Sequence, residues 1–233
     1  MGIAENLHVV RERVAEAALR SGRQPGEIVL VGATKMNDAA RIQEAIGAGL
    51  AVCGENRVQE FLEKEPQGAY RGAEIHFIGH LQKNKAKQLV GRVSLIQSVD
   101  SLELLSLISR LALERGIRQQ VLLEVNVAGE TAKSGFRPED VSAAIDVAAQ
   151  YEGVLVRGLM AVPPICRESQ ENIPYFQLMK QLFIDNGAKK YDNVSMGFLS
   201  MGMSGDYETA IACGANMVRI GSAIFGQRIY PAR

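Results

Sequence analysis

Eight short runs rich in β-branched residues recur along the chain, and each but the last is followed by a stretch with helical spacing. This rhythm constrains the fold more than any other feature. Alternating strands and helices build a parallel sheet through right-handed crossovers. The runs are Ile28–Thr34, Leu50–Cys53, Ile75–Ile78, Ser94–Val99, Val121–Val127, Val154–Leu159, Val194–Met196 and Asn216–Ile220. The first is nearly all apolar, as expected of a strand covered on both faces. Between the runs, helices are predicted at Arg57–Glu65, Lys83–Leu89, Ile173–Asn186 and Ser204–Cys213. Ala39, Ile42, Ala45 and Ile46 form another, closed by Gly49. Asp100 and Glu103 make a capping box ahead of Leu104 and Leu107. Pro138, Glu139 and Asp140 open the helix that carries Val141, Ala144, Ile145 and Ala148. Ile3, Leu7, Val10, Val14 and Ala18, with charges between them, predict an amphipathic helix at about 3–20 rather than a signal peptide. Eight units in 233 residues come close to the ~250 of a closed α/β barrel. The expectation is one (β/α)8 barrel domain spanning 1–233, although an open doubly wound sheet would share the rhythm.

Basic and acidic residues cancel at 26 each. Nucleic acid and membrane surfaces reward a basic excess, so neither is expected as a partner. No apolar run has the length of a membrane span. Cys53, Cys166 and Cys213 are widely spaced with no CxxC. Disulfides and zinc are therefore not expected, and a reducing cytoplasm fits.

In parallel barrels, reactive groups sit at the C-terminal ends of the strands. Lys35 ends the first run. It could snorkel to solvent, but a partly desolvated lysine there loses some hold on its proton, and the neutral amine attacks aldehydes. After the seventh run comes Ser200-Met201-Gly202-Met203-Ser204-Gly205, and the eighth ends Arg219-Ile220-Gly221-Ser222. Barrel phosphate sites commonly form from these two loops. Gly202 and Gly221 let backbone N–H groups approach an anion, and the serine hydroxyls add donors. Ser204 equally suits a helix N-cap. Asp206 and Glu208 would repel a phosphate unless turned away. Arg219 stands in an apolar strand, so it is either functional or paired with a carboxylate such as Glu124 or Glu55. Asn56, just past the second run, can hydrogen-bond a cofactor oxygen without adding charge. His76 and His80 read as structural, and Lys83, Lys85 and Lys87 as solvated. Met160 lines a pocket floor.

Further motifs are Gly54-Glu-Asn-Arg-Val-Gln-Glu60, His76-Phe-Ile-Gly79 with Leu81-Gln82 and Asn84-Lys85, Ser98-Val-Asp-Ser101, Lys133-Ser-Gly-Phe136 and Gly158-Leu-Met160. With the lysine strand Gly32-Ala-Thr-Lys35, Leu199–Ser204, Val218–Gly221 and Ile224–Gly226, the chain from Lys35 to Gly226 closely resembles the pyridoxal phosphate homeostasis proteins, the YggS/PROSC family. Thr34 stands where serine is usual there, and Cys53 where an aromatic is common.

The resemblance implies a barrel similar to the cofactor domain of alanine racemase. It implies pyridoxal 5′-phosphate (PLP) held as a Schiff base on Lys35. It also implies phosphate contacts from Ser200, Met201, Gly202, Ser204, Gly221 and Ser222, with Arg219 facing the pyridine nitrogen. The function implied is vitamin B6 and amino-acid homeostasis with no established catalysis. Apo PLP-dependent enzymes are candidate recipients, and the chain is expected to be a monomer. An amino-acid racemase and a PLP-independent phosphate-binding enzyme are the competing readings. Racemases of this kind draw a second base from an additional C-terminal β-domain, and none is expected beyond Arg233.

Overall fold

The structure is a computed structural model that describes residues 2–131 and 133–226. Eight parallel strands close into a barrel in sequence order. They are β1 (Val29–Ala33), β2 (Val52–Glu55), β3 (Glu74–Phe77), β4 (Leu95–Val99), β5 (Gln119–Val125), β6 (Val154–Ala161), β7 (Val194–Ser200) and β8 (Met217–Ile220). Closure comes from β8 against β1, with Val29 opposite Met217 and Val31 opposite Arg219. The open-sheet alternative is thereby excluded.

Helix α1 (Ile3–Arg20) precedes the barrel and buries Ile3, Leu7, Val10, Val14, Ala17 and Ala18. Six further helices follow strands as the spacing predicts, with small shifts at their ends. They are α2 (Ala39–Gly47), α3 (Val58–Lys64), α4 (Leu102–Leu113), α5 (Val141–Ala148), α6 (Ile173–Gly187) and α7 (Tyr207–Ala212). A one-turn helix, α8 (Ser222–Phe225), was not foreseen.

Four expectations need correction. Lys83–Gln88 is a 3-10 helix rather than an α-helix. Its bonds run i to i+3, from Lys85 N–H to Gln82 and from Leu89 N–H to Ala86, and only Ala86 is buried within it. A single apolar anchor cannot support a 3.6-residue stripe. Secondly, α4 is capped by Ser101, whose hydroxyl accepts from Leu104 N–H, and not by Asp100. Thirdly, β7 runs on to Ser200, so this serine belongs to the strand and not to the loop after it. Fourthly, Ser204 caps nothing: α7 starts at Tyr207, and the Ser204 hydroxyl accepts from Gly221 N–H instead.

Alternation along the strands separates two cores. Val31, Ala33, Ile78, Leu95, Leu122, Met160 and Met217 fill the barrel. A larger apolar shell lies between the strands and the helices. At Gly158 the backbone adopts φ +145°, and a Cβ there would sit 1.9 Å from the carbonyl oxygen of Phe198. Both the angle and the clash demand glycine. Gly158→Ala is expected to lower the unfolding free energy by roughly 2–4 kcal/mol in urea titrations. Gly26→Ala, where nothing lies within 4 Å, is expected to move it by less than about 0.5 kcal/mol.

Candidate functional site

Strand parity brings a set of polar side chains together inside the C-terminal half of the barrel. On β1 the inward residues are Val29, Val31 and Ala33, and Lys35, two positions past the end of the strand, is half-buried. β8 turns Met217 and then Arg219 inward, β7 Phe198 and then Ser200, and β4 Leu95 and then Gln97. Arg219 Nη1 donates to Ser200 Oγ at 2.5 Å and Nη2 to the Ala161 carbonyl at 2.8 Å. Ser200 Oγ meets Gln97 Oε1 at 2.7 Å, and Gln97 Nε2 meets His76 Nδ1 at 2.9 Å.

This chain has a direction. A guanidinium can only donate. Ser200 therefore accepts from Arg219 and gives its one proton to Gln97 Oε1. The Gln97 amide then turns its N–H toward His76, whose Nδ1 has to accept. His76 is thus neutral, with its proton on Nε2. Burial agrees, pushing His76 down to about 4. Arg219 is 4% exposed, and burial pulls it down to about 10 against the attraction of Glu124 and Asp206. It remains charged at neutral pH. Glu124, one of the two expected carboxylate partners, forms no ion pair with it; burial and Asp100 raise Glu124 to about 7, with Arg219 opposing. The other, Glu55, belongs to a different cluster.

That cluster lies outside the barrel, beneath α3. Glu55 Oε1 accepts from Thr34 Oγ1 at 2.6 Å, from Lys64 Nζ at 2.9 Å and from the Tyr70 hydroxyl at 2.9 Å. Lys64 Nζ also reaches the Thr34 carbonyl at 3.1 Å and Glu60 Oε2 at 2.9 Å. Glu60 Oε2 accepts the Met36 N–H at 2.7 Å. Burial pushes the Glu60 carboxyl up, but the Met36 N–H and Lys64 outweigh it and hold the group below the usual carboxylate range. Met36 has φ +62° and is the sole non-glycine residue with positive φ among those described. A left-handed L-residue costs about 1–2 kcal/mol.

The loop after β7 and the end of β8 meet as the sequence predicts. Arg219 N–H donates to the Gly202 carbonyl at 3.0 Å and Gly221 N–H to Ser204 Oγ at 3.2 Å. Gly202 has φ +92°, and a Cβ on it would lie 2.6 Å from Ala210 Cβ. The acidic residues nearby are turned to other partners. Asp206 accepts from Met203 N–H at 2.7 Å and from Asn172 at 2.8 Å. Glu208 pairs with Arg13 at 2.5 Å and Arg20 at 3.1 Å. Ser204 and Gly221 are half-buried and Ser222 is exposed. Met160 is buried in the barrel interior. Met201 packs in the outer shell, and Ser200 is wholly buried with its hydroxyl committed to Arg219 and Gln97. Neither presents its side chain at the surface. Asn56 Oδ1, just past β2, is buried with no hydrogen-bond partner among the described residues.

Gln97, Lys64 and Tyr70 carry no role in the sequence reading, and Glu60 appears there only as the end of a motif. Gln97 carries the same signal as Arg219, a polar side chain in an apolar strand. The other three acquire their roles only through tertiary contacts. His80 receives Ser134 Oγ and Asp100 Oδ2 on the same nitrogen, Nδ1, each at 3.2 Å. A proton relay needs the two ring nitrogens to face different partners, so this trio is not a nucleophilic triad.

Residues 3–229 match the family described as alanine racemase, N-terminal domain. A protein of Aquifex aeolicus named pyridoxal phosphate homeostasis protein is 43% identical over 230 residues, covering 99% of this chain and 100% of that one. The chain belongs to the pyridoxal phosphate homeostasis protein family. Among solved structures, PipY of Synechococcus elongatus with PLP bound has a TM-score of 0.82 at 31% identity, covering 96% of this chain and 100% of that one. An alanine racemase of Clostridium difficile has a TM-score of 0.72 at 16% identity, covering 98% of this chain and 58% of that one, which is a likeness of fold.

The inner polar chain of this family member carries a pH signature. The unfolded chain takes up a proton on His76 below its ordinary 6.5, whereas the folded chain resists down to about 4. The stability His76 contributes is therefore complete above pH 6.5 and lost as pH falls toward 4. Relative to His76→Gln, the wild type is expected to lose about 2–3 kcal/mol over that window. Urea midpoints at stepped pH check this. The comparison with the variant cancels the opposite trend of Glu124.

Proposed function

We propose that this chain holds PLP as a Schiff base on Lys35 and serves vitamin B6 and amino-acid homeostasis as a carrier rather than as a catalyst. The observation that carries the reading is the convergence of a lysine, an anion-type loop and a buried arginine at one barrel mouth. The name of the Aquifex relative and the PLP in the PipY structure support it. When bound, PLP supplies an aldehyde for an amine and a phosphate for a donor-rich loop.

The residues present fit that group. The close approach of Gly202 to Ala210 leaves no room for a Cβ and packs the loop tightly against α7. The orphaned Asn56 Oδ1 offers a buried acceptor for a ligand hydroxyl. In this reading Lys35 is the nucleophile. The Gly221 N–H orients the Ser204 hydroxyl, and that hydroxyl, with the Ser222 hydroxyl and the backbone N–H groups of Gly202 and Ser222, binds the phosphate. Met160 lines the pocket. Ser200 acts through Arg219, which it orients, and Met201 anchors the loop from the shell side.

Arg219 decides the chemistry. Two of its donors are spent on Ser200 and Ala161, and those remaining can face the pyridine nitrogen. A guanidinium that keeps its proton does not hand one over, so the ring nitrogen stays unprotonated and the electron sink weak. Storage or delivery of the aldehyde suits such a site better than chemistry at an amino-acid α-carbon. Apo PLP-dependent enzymes are the proposed recipients.

Lys35→Ala is expected to abolish the borohydride-reducible adduct seen by mass spectrometry in the wild type. A normal adduct in that variant would assign the linkage to another lysine, with Lys133 the first candidate. The phosphate should supply much of the affinity. Pyridoxal is therefore expected to bind far more weakly than PLP, and Ser204→Ala to weaken PLP by about 1.5–3 kcal/mol in titrations. Equal affinity for pyridoxal and PLP would contradict the anion site.

A further inference from the structure

The backbone around Lys35 is braced from outside the barrel, and the brace takes in a strained residue. Thr34 to Asn37 form a turn closed by Asn37 N–H on the Thr34 carbonyl at 3.1 Å. Met36 is its third residue, with φ +62°, while Lys35 before it is not among the positive-φ residues. That is the pattern of a type II turn, whose third position ordinarily calls for glycine or asparagine. Met36 is 49% exposed, so burial of its side chain does not explain the conformation.

What holds the turn is a set of side chains around the two peptide planes that flank Lys35. Lys64 Nζ takes the Thr34 carbonyl at 3.1 Å. Asn37 Nδ2 takes the Lys35 carbonyl at 3.1 Å. Glu60 Oε2 takes the Met36 N–H at 2.7 Å. Glu60 and Lys64 stand one turn apart on α3 and pair at 2.9 Å. Lys64 in turn is tied to the buried Glu55. Buried ion pairs are poor sources of stability compared with apolar packing. Strain that no packing repays is a pointer to function.

We propose that Glu60, held in place by Lys64, is a positioning residue for Lys35. Its carboxylate keeps the left-handed Met36 folded, and so fixes the direction in which the lysine side chain leaves the backbone. The proposal rests on the PLP reading for its purpose, but its geometry is measurable without PLP. It also sets the brace apart from a merely structural ion pair. If Glu60 works by offsetting strain at residue 36, a glycine there makes it dispensable, because glycine adopts positive φ without penalty.

The experiment is a cycle of Glu60→Ala, Met36→Gly and the double variant, with two readouts. In the ligand-free chain, amide exchange at Met36 is expected to rise about tenfold in Glu60→Ala, while exchange at Leu122 in β5 stays at the wild-type level. With PLP added, the rate of forming the borohydride-trapped adduct on Lys35 is expected to fall about tenfold in Glu60→Ala. It should return to within about threefold of wild type in the double variant. Glu60→Gln, which keeps an oxygen for Met36 N–H, is expected to stay within about threefold of wild type. Should Glu60→Ala fail to fold, Lys64→Met takes its place with the same readouts, since it removes the charge that holds Glu60. Unchanged Met36 exchange and unchanged adduct formation in Glu60→Ala would overturn the brace. So would a double variant no better than Glu60→Ala. A wild type that forms no Lys35 adduct, but whose Met36 exchange responds to Glu60→Ala, overturns the carrier reading and supports the brace.

Discussion

Arg219 is a cation enclosed in a barrel interior, and the way it is satisfied there sets the state of every polar group around it. Among the described residues no carboxylate forms an ion pair with it. It spends its donors on a hydroxyl and a carbonyl, and the hydroxyl passes a fixed hydrogen-bond direction through Gln97 to His76. Reversing any link would set two donors against each other or leave a buried acceptor unmet, at a cost of about 1–3 kcal/mol per group. The arginine thus dictates a serine rotor, an amide orientation and a histidine tautomer. It sits opposite Val31 of β1, in the strand that leads to Lys35.

A second network reaches the same lysine from the other side of the sheet. β1 divides its residues by parity. Val31 and Ala33 face the interior that holds Arg219, whereas Thr34 faces the cluster of Glu55, Lys64 and Tyr70. The inner network settles what the mouth can do electrostatically. The outer one settles where the amine stands. In the proposed reading they keep a small aldehyde in place, with a cation rather than a carboxylate where a strong electron sink would need a proton.

The sequence reveals those parts of this arrangement that depend on local pattern. The eight strands and the helices between them are legible because most strands bury both faces and so read as apolar runs. Lys35 and Arg219 stand out because a charge at the end of such a run, or inside it, needs a reason. Gln97 gives the same signal more faintly, since an amide in Leu95-Ile96-Gln97-Ser98-Val99 is less costly to bury than a charge. Ser200 was misjudged for a local reason. Gly197 interrupts the β-branched pattern after Met196, so the strand reads as four residues too short, and its last residue reads as loop. Glu60 and Lys64 look like one more solvent-facing i, i+4 pair. Only the packing of α3 on the turn after β1 shows that they face inward. The strain at Met36 leaves no trace in the sequence, because methionine there has no propensity for the conformation it adopts.

In the proposed reading Arg219 keeps the ring nitrogen of a bound pyridoxal group unprotonated. The most direct measurement is the nitrogen NMR shift of PLP labelled at the pyridine nitrogen and bound to the protein, followed from mildly acidic to mildly basic pH. The wild type is expected to show the shift of a free-base pyridine throughout, and Arg219→Glu to move it toward the protonated value. A protonated nitrogen at neutral pH in the wild type would contradict that reading.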